Sequence, residues 1–155
     1  MQIVLIDTRQ QKDKHINIDE YFKANGIETQ SIALKVGDYM FEDGKKTIDT
    51  KSSIYELCCD LFSKNSKARF QRECKRAKEL GLKLYILTEQ PMTKEKLLKW
   101  KSKKDVNGRL LTKADGKAIY NKMQIYSLAF GVFWRFCRKD KTGKEIIKLL
   151  GENSD

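Results

Sequence analysis

The sequence predicts one α/β domain in which helices cover both faces of a mixed β-sheet. Segments with strand character alternate along the chain with segments of helical periodicity, and a hairpin interrupts this alternation. A chain of 155 residues, of which 40% are hydrophobic, can form one core of ordinary size. We therefore expect a single domain over residues 1–155, with its core at about 1–90, a basic loop at about 94–117 and a helix, strand and helix at about 115–151.

Strands are predicted where apolar or β-branched residues run between turn signals. Asp7 ends the first strand, and Asp43-Gly44 forms the turn of a hairpin between the second and third strands. In chain order, the strands are expected at residues 2–6, within 27–41, and at 46–51, 83–88 and 132–137.

Helices are predicted where apolar residues recur every three or four positions. Ser53-x-x-Glu56 and Thr142-x-x-Glu145 have the form of capping boxes at helix starts, and Gly81 is a stop signal. In chain order, the helices are expected at residues 18–24, from about 53, and at 66–80, 115–130 and 142–150.

The charge of the chain favours a polyanionic partner. Thirty-two basic residues against 21 acidic ones give a net charge of +11, which is most often seen in nucleic-acid-binding proteins. The most basic stretches are residues 64–78 and 94–117, which flank an acid-rich segment in the expected fold and predict a cationic rim around an anionic centre. The alternative is that these are solvated faces. Residues 101–113 are expected to form a mobile loop.

Several protein classes are excluded by composition. Apolar runs reach only four or five residues, and no secretion signal is recognisable, so we expect neither a membrane span nor export. His15 is the only histidine, which excludes a histidine pair and the usual zinc ligand sets. The cysteines show no paired metal spacing and are expected as buried or free thiols in a reducing, intracellular compartment; they are Cys58, Cys59, Cys74 and Cys137.

The predicted hairpin brings two carboxylates together. If its turn is centred as proposed, Asp38 lies opposite Asp49, and Lys51 lies opposite Val36 on the same face as Asp49. Facing carboxylates repel, but a divalent cation such as Mg²⁺ between them removes the repulsion. The lysine can then orient or deprotonate a water, or neutralise charge on a phosphate, and Asp7 can add a third carboxylate. The alternative is a surface hairpin with scattered acids.

The same residues resemble a known nuclease signature. Gly37-Asp38-Tyr39, followed after the hairpin by an acid-x-Lys triplet at 49–51, resembles the motif of the XPF-family structure-specific nucleases, a branch of the PD-(D/E)XK superfamily. The resemblance runs from residue 3 to about 90. It also includes Val4-Leu5-Ile6-Asp7 with Arg9 after it, Arg69-Phe70-Gln71-Arg72-Glu73, and Leu84-Tyr85-Ile86-Leu87-Thr88-Glu89.

The sequence departs from that signature at three positions. Asp49 stands where the family has glutamate, which shortens the ligand by one carbon and keeps its charge. Thr50 stands where the family has arginine, so a partner for a phosphate or carboxylate is missing. Tyr55 stands where the family has a later acid, and the nearest acid is Glu56, which the capping box also explains.

The resemblance implies a PD-(D/E)XK restriction-endonuclease-like core and a Mg²⁺-dependent DNA endonuclease, with Mn²⁺ as a substitute. It implies branched or junction DNA as substrate and a homodimer as assembly. Asp38 and Asp49 would bind the metal. Asp7 would assist them or position Lys51, and Lys51 would orient the attacking water.

Further side chains are predicted to contact DNA or to assist the site. The arginines of the helix after the hairpin would hold backbone phosphates, and the lysines of the basic stretch 94–117 would bind DNA without doing chemistry. Glu56 and Glu73 are accessory candidates. The predicted DNA contacts are Arg9, Arg69, Arg72, Arg76, Lys99, Lys101, Lys103 and Lys104.

Two other functions stay open on the sequence. One is a nuclease-like DNA-binding module that has lost catalysis, which the threonine at position 50 leaves possible. The other is a basic RNA-binding protein, which predicts that Asp7, Asp38 and Asp49 do not cluster in space.

Overall fold

Six strands form one mixed sheet in the computed structural model of the protein, which describes residues 2–9 and 15–152. Their order across the sheet is β2-β1-β3-β4-β5-β6. The β3 strand is antiparallel to both of its neighbours, and the other neighbouring pairs are parallel. The strands are β1 (Val4–Asp7), β2 (Thr29–Ile32), β3 (Tyr39–Phe41), β4 (Lys46–Lys51), β5 (Lys83–Thr88) and β6 (Phe133–Phe136).

Helices cover both faces of this sheet, which confirms the predicted fold class. Each segment between two parallel strands contains at least one helix, as expected for crossover connections. None of the described helices is long and apolar enough to cross a membrane. The helices are α1 (Ile16–Ala24), α2 (Ile54–Phe62), α3 (Lys64–Glu79), α4 (Lys94–Leu98), α5 (Gly116–Phe130) and α6 (Thr142–Gly151).

The central strand β4 is buried along its whole length and divides the core in two. Side chains alternate between the faces of a strand, so Ile48 points toward α1 and α6, where it packs with Phe22 and Leu149. The other face of the sheet, with Ile86, packs against Leu57 of α2 and other residues of α2, α3 and α5. The residues of β4 on either side of Ile48 therefore point toward α2 and α3.

The β3–β4 hairpin has the predicted register. Tyr39 pairs with Ile48 and Met40 with Thr47, and a four-residue loop at 42–45 joins the strands. The prediction that Lys51 lies opposite Val36 is wrong. The Thr47 hydroxyl donates to the Val36 carbonyl at 2.7 Å, because the chain turns away from the ladder between Val36 and Tyr39.

That turn depends on Gly37. Its φ of +78° lies in the left-handed region, and a Cβ at this position would be 2.2 Å from the Thr47 hydroxyl oxygen. Glycine is therefore needed here both for its backbone angle and for the close approach of two strands. The turn places the next residue, Asp38, at the edge of the hairpin.

The start of α2 confirms one predicted cap. The Ser53 side chain accepts a hydrogen bond from the Glu56 amide at 3.1 Å, as expected for an N-cap. The cap predicted at Thr142 is wrong, although the helix is present. A short 3₁₀ turn at 139–141 precedes α6, and the Thr142 hydroxyl instead donates to buried Glu89 at 2.7 Å.

Residues 101–113 lack a helix, as predicted, but hydrogen bonds hold them in a small hairpin. The Leu111 amide donates to the Lys103 carbonyl at 2.9 Å, and the Asp105 carboxylate accepts from the amides of Asn107 and Arg109 at 2.8 and 3.0 Å. These bonds contradict the interpretation of the stretch as a mobile loop. The preceding α4 was not predicted, because five residues carry too little periodicity.

Replacing Gly37 with alanine should destabilise the protein more than the same change at Gly26. Gly26 has a φ of +64° with nothing within 4 Å of an added Cβ, so Gly26→Ala costs only the backbone strain, about 1 kcal/mol. Gly37→Ala adds the clash with Thr47, and we expect a loss of about 2–4 kcal/mol. Urea unfolding measures both values, and equal losses would show that the close approach at Gly37 is unimportant.

Candidate active site

The predicted hairpin residues meet two helices in one cleft. Asp49 and Lys51 are two positions apart on β4, so they point to the same face of the sheet, toward α2 and α3. The cleft there has a volume of ≈ 590 Å³. Besides these two residues, its walls include Glu56, Asp60, Arg69 and Glu73.

Lys51 lies in the wall of this cleft as a buried ammonium group. Its Nζ atom is 2.8 Å from Asp49 Oδ2 and 2.5 Å from Asp60 Oδ2, and it lies over the Phe70 ring at 5.2 Å from the centroid. Burial alone would lower the pKa of Lys51, but the two carboxylates outweigh burial and raise it well above its usual range. Lys51 is therefore protonated at neutral pH. It can donate hydrogen bonds and neutralise charge, but it cannot take a proton from water.

Asp38 lies beside Asp49, as the register predicted. Its Oδ2 atom accepts hydrogen bonds from the Thr50 amide at 2.9 Å and the Thr50 hydroxyl at 3.1 Å, and its carboxyl is hydrogen-bonded to that of Asp49. Burial, together with the neighbouring Asp49 charge, raises the pKa of Asp38 to about 8. The geometric part of the prediction is thus confirmed, and the catalytic roles stay predictions.

Glu73 of α3 completes a group of three carboxyls. Its side chain is hydrogen-bonded to Asp49, and burial and the Asp49 charge raise the pKa of Glu73 to about 10. Burial would also raise the pKa of Asp49, but Lys51 and the hydrogen bonds from Glu73 and Asp38 lower it below its usual value. In the protein without a bound cation, the ionised Asp49 therefore lies between two protonated carboxyls, those of Asp38 and Glu73.

The donor set fits a hard divalent cation. Within residues 2–9 and 15–152, no three histidine, cysteine, aspartate or glutamate side chains are already placed as ligands of one metal ion. However, Glu73 Oε1 is buried without a hydrogen-bond partner among the described residues, which is costly unless another group binds it. Carboxylate oxygens are the ligands that Mg²⁺ prefers, and a bound cation would favour the ionised forms of Asp38 and Glu73, which burial and the Asp49 charge otherwise disfavour.

Asp7 lies next to this group through its backbone, while its carboxylate has other partners. The Asp7 amide donates to the Asp38 carbonyl at 2.9 Å, which places the end of β1 beside the site. The Asp7 carboxylate accepts from the Leu34 amide at 2.9 Å and from Arg9 Nε at 3.1 Å. It lines a different cavity of ≈ 410 Å³. Its predicted role as a metal ligand has no support from these contacts, and Arg9 is its ion-pair partner.

The predicted DNA-binding arginines of α3 differ in their surroundings. Arg69 lies in the wall of the cleft. Arg72 is exposed on the same helix, and the Arg76 guanidinium donates to the Lys35 carbonyl at 3.1 Å, which ties α3 to the loop before the hairpin. Of the three, Arg69 is therefore the best placed to meet a phosphate near the carboxyls.

Glu56, the other accessory candidate, takes part in the predicted cap, and its accessory role stays a prediction. Its amide completes the cap of α2, and its carboxylate accepts a hydrogen bond from the Ser52 hydroxyl at 2.7 Å. The side chain also lines the cleft, so Glu56 lies near the three clustered carboxyls without being one of them.

The four predicted DNA-binding lysines of the basic stretch are not among the residues that line the cleft. Lys101 and Lys103 line a second pocket that shares Ser53 and Tyr55 with the cleft. Lys99 is 3.8 Å from Glu95 in an exposed ion pair, and Lys104 is exposed in the small hairpin. All four lysines are exposed, as their predicted contact with DNA backbone requires.

Two residues of the site were not recognised from the sequence. Thr50 was described as the loss of an arginine, yet its amide and hydroxyl hold Asp38. Asp60, which holds Lys51, had a signal that could have been used. It is an acid in α2 three residues after Leu57 and next to Leu61, on the side of the helix that is otherwise apolar.

The sequence matches one family model, described as the ERCC4 domain, over residues 6–150. The chain belongs to the ERCC4 domain family. This match, together with the fold, confirms the resemblance to XPF-family nucleases that the motifs around Asp38 and Asp49 predicted.

Solved structures of a relative share the fold of this ERCC4 domain. XPF from Aeropyrum pernix has a TM-score of 0.68 at 17% identity, with 96% of this chain and 63% of that chain covered. The structure of XPF from Aeropyrum pernix in complex with DNA has a TM-score of 0.68 at 17% identity, and the match covers 97% of this chain and 64% of that chain. The chain thus spans less than two thirds of that relative's length. No curated protein matches the sequence.

The protonated carboxyls predict how stability varies with pH. In metal-free buffer, the folded protein retains the Glu73 proton up to a pKa of about 10, whereas the unfolded chain loses it near the ordinary value of 4.5. The unfolding free energy should therefore fall as pH rises from about 5 to 8, because the folded state binds more protons in that window. Glu73→Gln should make the fall smaller. Urea unfolding in EDTA at several pH values measures it.

Glu79→Gln is the matched control for this measurement, since Glu79 is an exposed glutamate near the end of the same helix. It should leave the pH dependence as in the unmodified protein. Identical pH dependence in the Glu73→Gln and Glu79→Gln variants would contradict the assignment of a buried, protonated Glu73.

Proposed function

We propose that this ERCC4 domain is a divalent-metal-dependent endonuclease that hydrolyses phosphodiester bonds in branched DNA. The observation that carries the proposal is the meeting of Asp49, Glu73 and a protonated Lys51 in one cleft that Arg69 also lines, with Asp38 hydrogen-bonded to Asp49. Three carboxyls and an ammonium group are the side chains that metal-assisted hydrolysis of a phosphodiester needs.

Asp38, Asp49 and Glu73 would hold Mg²⁺ or Mn²⁺. When bound, such a cation supplies Lewis-acid stabilisation of the charge that develops on the phosphate. The donors are fixed before substrate arrives, because the Thr50 amide and hydroxyl hold Asp38, and Asp49 is held by Lys51. Fixed donors cost little reorganisation during the reaction.

Lys51 acts as a hydrogen-bond donor and a positive charge. Its ammonium group, kept protonated by Asp49 and Asp60, can orient the attacking water or neutralise charge on a phosphate oxygen. Asp60 is a positioning residue, because it acts on the substrate only through Lys51. The proton released from water must be accepted by another group.

DNA as substrate is supported by two kinds of observation. The chain belongs to the ERCC4 domain family, and a relative with the same fold, XPF from Aeropyrum pernix, has been solved in complex with DNA. In addition, Arg69 of α3 lies in the wall of the cleft, and the net charge of the chain is +11, which favours a polyanionic partner. The alternative of a basic RNA-binding protein predicts that Asp7, Asp38 and Asp49 do not cluster; Asp38 and Asp49 do cluster, whereas the Asp7 carboxylate does not join them.

A homodimer is part of the proposal, following the family resemblance. Leu128 and Ile125 are 89% and 54% exposed on α5, the helix that leads into β6, an edge strand of the sheet. Exposed apolar residues beside an unpaired strand edge favour contact with a second copy. Sedimentation of the chain should show a dimer at micromolar concentration, and Leu128→Glu should give a monomer. A wild-type monomer at high concentration would contradict this.

Asp38→Asn should abolish cleavage while the fold is retained. The change removes a ligand charge but keeps the shape of the side chain, so we expect a loss of at least about 10²-fold in turnover on flap, fork or four-way junction DNA with Mg²⁺. Asp43→Asn is the matched control, because Asp43 is exposed in the loop of the same hairpin. It should cleave as the unmodified protein does.

The comparison separates the proposal from the inactive alternative. If the unmodified protein binds branched DNA but cleaves none of these substrates with Mg²⁺ or Mn²⁺, the chain is a DNA-binding module without catalysis. If the Asp38→Asn variant cleaves normally, the group of three carboxyls formed by Asp38, Asp49 and Glu73 is not the active site.

Changing Lys99, Lys101, Lys103 and Lys104 together to alanine should weaken binding to all DNA sequences about equally. If three of these lysines neutralise phosphates, the slope of log affinity against log salt should become less steep by about 3. Turnover at saturating DNA should be retained, because the carboxyls are untouched. Fluorescence anisotropy at several salt concentrations gives the slope, and an unchanged slope would identify the stretch as a solvated surface.

A further inference from the structure

A second pocket of ≈ 480 Å³ lies beside the proposed catalytic cleft at the start of α2. Its volume is within the range of about 300–1,000 Å³ that small-molecule sites occupy. Ser53 and Tyr55 line both spaces, so a strand with its phosphate in the cleft can continue into the pocket. The remaining walls of the second pocket are Gln90, Trp100, Lys101, Lys103 and Leu111.

Hydrogen bonds and close packing hold the Trp100 wall of the second pocket. Trp100 packs partly against the core, and its carbonyl accepts a hydrogen bond from the Gly116 amide at 2.8 Å. A Cβ at Gly116 would be 1.6 Å from the Leu97 carbonyl oxygen, so α5 begins in direct contact with the segment that carries the indole. Buried Ser102 joins the two arms of the small hairpin through its bonds to Thr112 at 3.2 Å. The second pocket is thus already formed without a ligand.

The walls combine aromatic surface, oriented amide donors and positive charge. Tyr55 is 38% exposed, and Trp100 is half-buried. Gln90 Oε1 accepts from the Ile54 amide at 2.9 Å, which fixes the side-chain amide and leaves its N–H donors directed away from α2. Lys101 and Lys103 are exposed cations beside the rings.

We propose that the second pocket binds the base of an unpaired DNA nucleotide adjacent to the scissile phosphate. Aromatic rings stack on the face of a base, and this face is available only where the base has left the duplex stack. The Gln90 amide can donate to base carbonyl oxygens, and the two lysines can bind the phosphates on either side. This inference rests on the proposed function, and it assigns the single-stranded arm of the branched substrate to a place on the protein.

Binding measured without cleavage tests the second pocket separately from catalysis. The probes are a fluorescein-labelled oligo(dT) and a labelled blunt duplex, both in EDTA. The test variant combines Tyr55→Ala with Trp100→Leu, which removes both rings but keeps apolar bulk against the core. The matched control is Phe133→Ala, because Phe133 is an exposed aromatic residue of β6 that pairs with Tyr85 of β5 and does not line the second pocket.

The double variant should bind oligo(dT) with an affinity lower by about tenfold or more, because it loses the aromatic rings on which a base would stack. Its affinity for the duplex should be unchanged, and Phe133→Ala should bind both probes normally. If the double variant fails to fold by circular dichroism, Tyr55→Ala alone, which changes only an exposed side chain, should still weaken oligo(dT) binding selectively.

Fluorescence of the indole gives an independent measurement. The chain has two tryptophans, so Trp134→Phe leaves Trp100 as the only one. Oligo(dT) should quench its emission, and the duplex should not. Unchanged emission with saturating oligo(dT), or equal losses for oligo(dT) and duplex in the double variant, would overturn the inference while leaving the proposed nuclease intact. Tighter binding of oligo(rU) than of oligo(dT) would overturn the assignment to DNA.

A chain that binds oligo(dT) through Tyr55 and Trp100 but cleaves nothing would support the second pocket and refute the nuclease. A chain that binds neither probe would refute both. The two proposals can therefore fail separately.

Discussion

The burial of the Lys51 ammonium group is the constraint on which the site depends. A charged amine in the interior is stable only with opposite charges beside it, and Asp49 and Asp60 supply them from β4 and α2. Because Asp49 must stay ionised for Lys51, the neighbouring carboxyls carry the protons. The raised pKa values of Asp38 and Glu73 follow from this arrangement and from burial.

The position of Asp38 depends on small residues around the hairpin. Gly37 lets the chain turn against Thr47, and Thr50 binds the carboxylate through both its amide and its hydroxyl. The resembled signature has an arginine at position 50, whereas this chain has Thr50, whose short side chain binds Asp38. The positive charge near the carboxyls therefore comes from Lys51 and from Arg69 at the cleft wall.

Charge is distributed so that a polyanion is attracted to a centre that would otherwise repel it. Asp49 and Glu73 lie in the cleft, and Arg69 of α3 lies in its wall. In the proposed function, the exposed basic side chains of α3 and of residues 94–117 would raise the local concentration of DNA near this cleft. The proposed base-binding pocket would add selection of unpaired strands to this attraction.

The sequence by itself determined the elements other than α4 and the pairing of Asp38 with Asp49. Strand alternation, helical periodicity and a hairpin turn are relations between residues a few positions apart, and they need no tertiary contact. Only the tertiary structure decided that Asp60 holds Lys51 and that Glu73 joins the carboxyls. It also decided that Thr142 binds Glu89 rather than capping α6, and that Tyr55 and Trp100 line the same pocket. These contacts join separate elements, and their geometry depends on how helices pack against the sheet, which no local pattern in the sequence specifies.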